Sequence, residues 1–438
     1  MKESLFDIVQ GHVATSSAIR LRGFVTDVTG VLVEGAGIAV PVGAQVTIDV
    51  PRGAIRAQVV GFKKDKVLLM PFGEMEGVGP GAPIIASSAD TQVLVSESML
   101  GCVINAFGDP VDGSENTFAK TGVMVPLYRK PPNPITRKRI DEVFDTGVRA
   151  INSLLTMGVG QRMAIMAGSG VGKSTLMGMV AKHAVSDINV IALVGERGRE
   201  VREFIERDLG PEGLKRSILV VATGDDSPLV RIRAAFYATA IAEFFRDKGK
   251  KVVLMMDSVT RLAMAQREIG LAVGEPPSTK GYTPSVFAML PKLLERAGTT
   301  NGEGSITGLY TVLVEGDDMN EPVADTVRGI LDGHMVLSRR LAAKAQYPAI
   351  EVLQSVSRVM SDIVTKEHTE VARRARESLS LYTENEDLIT IGAYKAGQSA
   401  RLDDAIKVQD KLVTFLKQTS EEYVSIAAAV NELGKVFA

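Results

Sequence analysis

The chain reads as an α/β protein: a parallel-sheet core behind a small N-terminal β-barrel, with a C-terminal helical domain. Three observations predict this. Short strands with even turn spacing fill residues 20–90. Nearly continuous apolar strands alternate with helical patterns between 140 and 360. From about residue 366 the pattern is helical. The expected domains are therefore 1–90, 91–365 and 366–438.

In the first region the expected strands are 23–28, 45–50, 57–62 and 66–70, separated by Gly, Pro and Asp turns, which is the pattern of a small barrel. Barrels of this kind can bind nucleic acid by stacking bases on aromatic rings. The first 90 residues hold Phe6, Phe24, Phe62 and Phe72 but no Tyr or Trp, which favours a structural collar. Residues 126–139 follow as a proline-rich, basic strap, expected to be an extended, solvated connection.

In the core, the expected strands are 163–166, 189–194, 217–222, 251–256 and 308–314. Strands with no polar alternation belong in a parallel sheet buried on both faces. In the tail, Leu402, Ala405, Ile406, Gln409, Leu412, Val413 and Leu416 recur near helical spacing.

Composition bounds the function. At 438 residues the chain exceeds one ordinary core. Its formal net charge of −2 argues against a general nucleic-acid or membrane binder. Cys102 is the only cysteine, so no intrachain disulfide forms, which is compatible with a reducing cytosol. Four scattered histidines and that cysteine offer no zinc spacing. No apolar run approaches a bilayer span, and Met1-Lys2-Glu3-Ser4 does not open a signal peptide.

The chemistry is concentrated in Ala167-Gly168-Ser169-Gly170-Val171-Gly172-Lys173-Ser174, between an apolar strand and a helix expected over 175–184. Strand, glycine loop, Lys-Ser and helix together form the phosphate-binding loop of nucleoside triphosphatases. Glycines let backbone N–H groups turn toward phosphate oxygens, and the helix N-terminus adds partial positive charge. Lys173 is expected at the β and γ phosphates and the Ser174 hydroxyl on Mg²⁺. The nucleotide-binding set runs through Gly168, Ser169, Gly170, Val171, Gly172, Lys173, Ser174 and Thr175. Ala167 stands where a first glycine is usual, which is tolerable if its φ stays negative. Asp257 closes an apolar strand downstream, where a Mg²⁺ carboxylate is needed. Glu196 is the candidate to orient or deprotonate the attacking water, with Arg197 near the γ-phosphate. Arg199, Glu200, Arg202, Glu203, Glu206 and Arg207 sit at spacings for ion pairs on a solvated helix.

The order of these motifs, with Gly281-Tyr282-Thr283-Pro284-Ser285, Gln346-Tyr347-Pro348 and Ser355-Val356-Ser357-Arg358, resembles the catalytic subunits of rotary ATP synthases and their relatives. The stretches 273–282, 314–322 and 328–334 are most similar to the flagellar export ATPases and injectisome ATPases. The tail also lacks the acidic Asp-Glu-Leu-type segment of ATP synthase β subunits.

The resemblance covers nearly the whole chain. It implies a RecA-like P-loop ATPase core, with ATP and Mg²⁺ as ligands. It implies that Lys173 and Ser174 bind phosphate and Mg²⁺, that Glu196 is the catalytic carboxylate, that Tyr347 stacks on adenine, and that Arg358 is an arginine finger reaching a neighbour's nucleotide. It further implies a homo-hexamer energising type III protein export, most closely of flagellar components. The location would be cytoplasmic, peripheral to the inner membrane at the export gate. The implied partners are regulator, stator and stalk proteins, export substrates and chaperones, but no nucleic acid. Family members usually carry a longer N-terminal docking segment than the roughly twenty residues ahead of the first strand here.

Other readings carry distinct expectations. A rotary-synthase catalytic subunit requires a different partner subunit, whereas a chain with both a full loop and Arg358 can complete a homomeric ring. An injectisome secretion ATPase is an alternative within the same resemblance, and the sequence does not separate it from a flagellar one. An RNA translocase requires aromatic and basic surfaces on the barrel. A module that holds nucleotide without turnover would have no use for Glu196.

Overall fold

Among the described residues, six strands near the N-terminus close into a barrel around a shared aliphatic interior that none of them covers alone. The computed structural model describes residues 21–87, 91–314, 316 and 318–438. Residues 1–20, and with them Phe6 and the segment ahead of the barrel, lie outside the described residues, as do Glu315 and Asp317 of the 314–322 stretch. The strands are β1 (Arg22–Thr29), β2 (Leu32–Ala36), β3 (Gln45–Val50), β4 (Gly53–Lys63), β5 (Lys66–Pro71) and β6 (Pro83–Ala86), closed in the order β1-β2-β5-β4-β3-β6. Val25, Val33, Val46, Ile48, Val59, Leu69 and Ile84 fill the interior as a core of their own. Phe72 is buried and packs edge-on against Phe107 of the next domain, with ring centroids 5.3 Å apart. Phe24 and Phe62 stay exposed. Strands β2 and β6 were not expected. They are short, and β2 carries Glu34 and Gly35, so pairing across the barrel defines them more than their own residues do.

The core sheet has nine strands. Its main path uses β7 (Val103–Asn105), β8 (Arg162–Ala167), β9 (Ile188–Glu196), β10 (Ser217–Thr223), β11 (Lys251–Asp257), β12 (Ser305–Leu313), β13 (Gly333–Leu337) and β14 (Val356–Ser357). Their order is β14-β13-β8-β12-β11-β9-β10-β7. All neighbours on that path are parallel except β13 and β14, which are antiparallel. The ninth strand, Gly298–Thr299, pairs antiparallel with β12. Sequence analysis missed β7, β13 and β14, all short strands on the flanks of the sheet.

Alternate strand residues face two different cores, as strand geometry requires. Ala164, Met166, Val190, Ala192 and Ile218 face α2 (Pro228–Asp247), α3 (Val259–Ala272) and α4 (Pro284–Leu294). Met163, Ile165, Ile191, Leu193 and Leu219 face α1 (Lys173–His183). A further helix, α5 (Pro322–Ile330), lies between β12 and β13 in the chain. The tail helices are α6 (Lys366–Thr390), α7 (Ala400–Leu416) and α8 (Ile426–Val436). They share the α1-side core through Ala375, Leu412, Phe415 and Leu433. Arg149 fastens this tail: its guanidinium donates to the Phe415 carbonyl at 3.2 Å and the Lys417 carbonyl at 2.7 Å, and pairs with Glu422 and Glu432.

The basic strap is mostly exposed, as expected of a solvated connection, but it is pinned at two points. Arg137 donates to the Ala297 carbonyl at 2.9 Å and to the Glu295 carbonyl, and Arg129 pairs with Asp247 at 2.7 Å. Carbonyls beyond a helix C-terminus are unpaired acceptors, and a guanidinium satisfies them. Among the described residues no helix is long and apolar enough to cross a membrane.

Candidate active site

The loop between β8 and α1 sits at the carboxyl edge of the sheet. Ala167 ends β8 in extended backbone, so the alanine is accommodated with negative φ. The turn is made by Gly170 (φ 77°) and Gly172 (φ 91°), values that disfavour any side chain. Helix α1 then begins at Lys173, two residues ahead of expectation, and Gly172 gives it no side-chain cap. The first N–H groups of α1 are thus left to an anion.

Lys173 Nζ lies 2.5 Å from Asp257 Oδ1 and 3.4 Å from Glu196 Oε1. Thr311, from the strand between β8 and β11, donates its hydroxyl to Asp257 Oδ1 at 2.6 Å. One cation therefore serves two carboxylates. Burial pushes the Glu196 carboxyl up to about 7, the Asp257 charge adds to the shift, and Lys173 partly offsets it. Glu200 accepts a hydrogen bond from Glu196, which holds its own carboxyl below the usual range. For Lys173, burial works against the charge, but Asp257 and Glu196 outweigh it and raise the ammonium above its ordinary value.

These groups line a cavity of about 610 Å³ with Gly168, Ser169, Gly170, Ser174 and Thr175. Val171 is buried behind the loop. Ser174 and Asp257 offer the hard oxygen donors that Mg²⁺ prefers, so the donor set fits that ion.

Three expected residues stand outside this cluster of charges. Arg197 reaches only the cavity mouth: its side chain is 81% exposed and its nearest carboxylate, Glu200, is 3.8 Å away. It precedes the helix Gly198–Glu203 as an extended residue, which leaves its side chain at the surface. Tyr347 lies beside the loop, with its ring 3.5 Å from where a Cβ on Gly172 would stand. Arg358 lies far from its own loop. It follows β14, and its N–H donates to the Asp332 carbonyl, next to the amino end of β8.

The solvated-helix expectation holds for Arg199–Glu203 and Arg202–Glu206, at 2.9 and 2.8 Å. Glu200, Glu203 and Arg207 also line the cavity. Sequence reasoning missed Arg339, Arg261 and Thr311. Arg339 stands just past β13, and a Cβ on Gly168 would lie 2.7 Å from its guanidinium. Its signal was hidden with that strand. Arg261 packs its stem on Gly195, as α3 starts immediately behind Asp257. Thr311 was legible as a polar residue inside an apolar strand.

Comparison with known proteins agrees with this geometry along the chain. Residues 25–87 match the β-barrel domain of the ATP synthase alpha/beta family, and residues 147–357 match that family's nucleotide-binding domain. Residues 364–435 match the T3SS EscN ATPase C-terminal domain. The chain is 56% identical to the flagellum-specific ATP synthase of Bacillus subtilis over 96% of its length and 95% of that protein. It is 49% identical to the type 3 secretion system ATPase of Xanthomonas euvesicatoria, over 94% of this chain and 93% of that one. The assembled ATPase EscN of enteropathogenic E. coli superposes with a TM-score of 0.89 at 43% identity, covering 95% of this chain and all of that one. EscN has also been solved with its central stalk EscO, and that structure superposes with a TM-score of 0.87. With barrel, loop-bearing sheet and helical tail all matched in order, the chain belongs to the ATP synthase alpha/beta family, in the branch of the flagellum-specific ATP synthases and type III secretion ATPases.

Proposed function

We propose that this ATPase works as a homo-hexamer with Mg²⁺-dependent sites shared between neighbouring subunits, and that it energises type III export of flagellar components. One observation carries the shared-site reading: Arg358 sits at the amino end of β8, while the nucleotide cavity opens at the carboxyl end. An arginine finger supplied across an interface speeds hydrolysis by about 10³ to 10⁵. The oligomeric EscN and its stalk complex support a ring that takes a central partner.

In this reading Lys173 leaves its carboxylates for the β and γ phosphates, and Tyr347 stacks on adenine. Ser174 and Asp257 hold Mg²⁺, which when bound neutralises phosphate charge. Water attacks the γ-phosphorus in line, its proton passes to Glu196, and the bond to the bridging oxygen breaks to leave ADP. The energy comes mostly from positioning and charge neutralisation. The implied regulator, stator, cargo and chaperone partners and the seat at the inner-membrane export gate belong to the same proposal.

The test is ATP hydrolysis per subunit across protein concentrations, with Arg358→Ala alongside. Activity per subunit is expected to climb with concentration and to fall about 10³-fold or more in the variant. Flat activity that survives Arg358→Ala would remove the shared site. Activity appearing only on addition of a related, non-identical subunit would point to the rotary-synthase reading.

A further inference from the structure

The backbone that carries Arg358 is held by one acidic side chain. Asp332 grips the start of β8 from both sides of its own peptide. Its Oδ2 accepts from the Arg162 backbone N–H and from Arg162 Nε, both at 3.0 Å, and its Oδ1 accepts from Arg162 Nη2 at 2.9 Å. The Asp332 N–H in turn donates to the Arg162 carbonyl at 2.9 Å. The Asp332 carbonyl then accepts the Arg358 N–H at 3.0 Å. Gln161, fully buried, bridges the same two segments: its Nε2 donates to the Asp332 carbonyl at 3.2 Å and to Ser357 Oγ at 3.0 Å. Among the described residues the Arg358 guanidinium has a single acceptor, the Arg328 carbonyl at 3.2 Å, and the residue is otherwise exposed. The anchor of Arg358 is thus rigid and charge-assisted, while its tip is only lightly held.

We propose that Asp332, through Arg162, is a positioning residue that sets the aim of Arg358 at the neighbouring subunit's nucleotide. This rests on the reading of Arg358 as an arginine that acts across the interface. A displacement of about 1 Å at a group that acts only in the transition state can cost about 10²-fold in rate. Asp332 bonds the first residue of β8, and its own subunit's loop lies at the other end of that strand, so its effect falls on the neighbour.

The experiment compares Asp332→Asn, Arg162→Lys and Arg358→Ala in the full-length ring. Asp332→Asn keeps the shape and removes the charge. Arg162→Lys keeps the charge and loses the two-pronged grip. Each is checked for assembly by mass, for melting temperature, and for Kd of a fluorescent ATP analogue. Asp332→Asn is expected to lower kcat roughly 10- to 100-fold with KM and Kd held, and Arg162→Lys to do the same to a lesser degree. Co-expression of Asp332→Asn subunits with Lys173→Ala subunits provides the second readout. An intact loop on the first then meets a well-aimed Arg358 on the second, and activity should exceed the sum of the separate preparations. No such recovery, or a weakened Kd in place of a lowered kcat, would mean that Asp332 serves its own subunit and would overturn the proposal. Wild-type kcat in Asp332→Asn beside an inactive Arg358→Ala would overturn it too, and would leave the finger standing. Wild-type kcat in Arg358→Ala would remove the finger reading, and this proposal with it.

Discussion

Glu196 and Glu243 are both carboxylates held against a cation inside the same domain, and their surroundings differ in balance. Glu243 accepts two hydrogen bonds from Arg296, at 3.0 and 2.7 Å, with both side chains essentially inaccessible to solvent. The rest of that guanidinium is used as well, since Arg296 Nη1 donates to the Leu127 carbonyl at 2.8 Å. Every prong of the structural pair has an acceptor. At the nucleotide cavity, Lys173 is shared between Glu196 and Asp257, and its closer contact is with Asp257. Burial first and the Asp257 charge second raise the proton affinity of Glu196, and the shared Lys173 only partly offsets them. Burial is common to both clusters. What separates them is sharing: Lys173 is divided between two carboxylates, whereas Arg296 gives Glu243 two hydrogen bonds, and a shared cation is one that an incoming charged group can draw away.

That contrast can be broken at three points. The largest effect is expected from Glu196→Gln, an isostere without basicity. Loss of a positioned general base should lower kcat by about 10² to 10⁴, while the melting temperature holds because a repulsion with Asp257 disappears. A large fall in melting temperature would place Glu196 with the structural pair.

The converse variant is Arg296→Met. Leaving Glu243 buried without its cation should cost about 3–5 kcal/mol in thermal or denaturant unfolding. The kcat of the remaining folded subunits should not change. A loss of kcat without loss of stability would assign Arg296 to the chemistry.

The smallest effect is in pH dependence. Glu196 takes a proton only when ionised, and its pKa in the free protein is raised to about 7. The sign follows: kcat/KM should fall by about tenfold per unit below that value and level off above it. A profile flat from pH 5.5 to 8 would mean that Glu196 is not the group whose ionisation limits the reaction.

The local chemistry was legible in the sequence where it is carried by neighbours in the chain. Gly168 to Ser174 sits between β8 and α1 because glycines, a Lys-Ser pair and flanking apolar runs specify that turn within a dozen residues. Long apolar strands such as β9 and β12 were legible for the same reason. Strands β2, β7, β13 and β14 were not, because short edge or Gly-containing strands exist only by pairing with something distant. Missing β13 hid Arg339, and reading the strap as a solvated connection hid the carbonyls that Arg137 satisfies and the Asp247 carboxylate that Arg129 pairs with.

The sequence by itself therefore determined the loop, the alternation of buried strands with helices, and the helical tail, since each depends on periodicity and turn chemistry within one segment. The tertiary structure alone decided which charges meet. Parallel crossovers bring Lys173, Glu196 and Asp257 to one edge from three different strand ends. The same topology places Arg358 by Asp332 near the opposite edge. Nothing in the spacing of 173, 196, 257 and 358 along the chain encodes that division, because it follows from strand order and from the direction in which each strand runs.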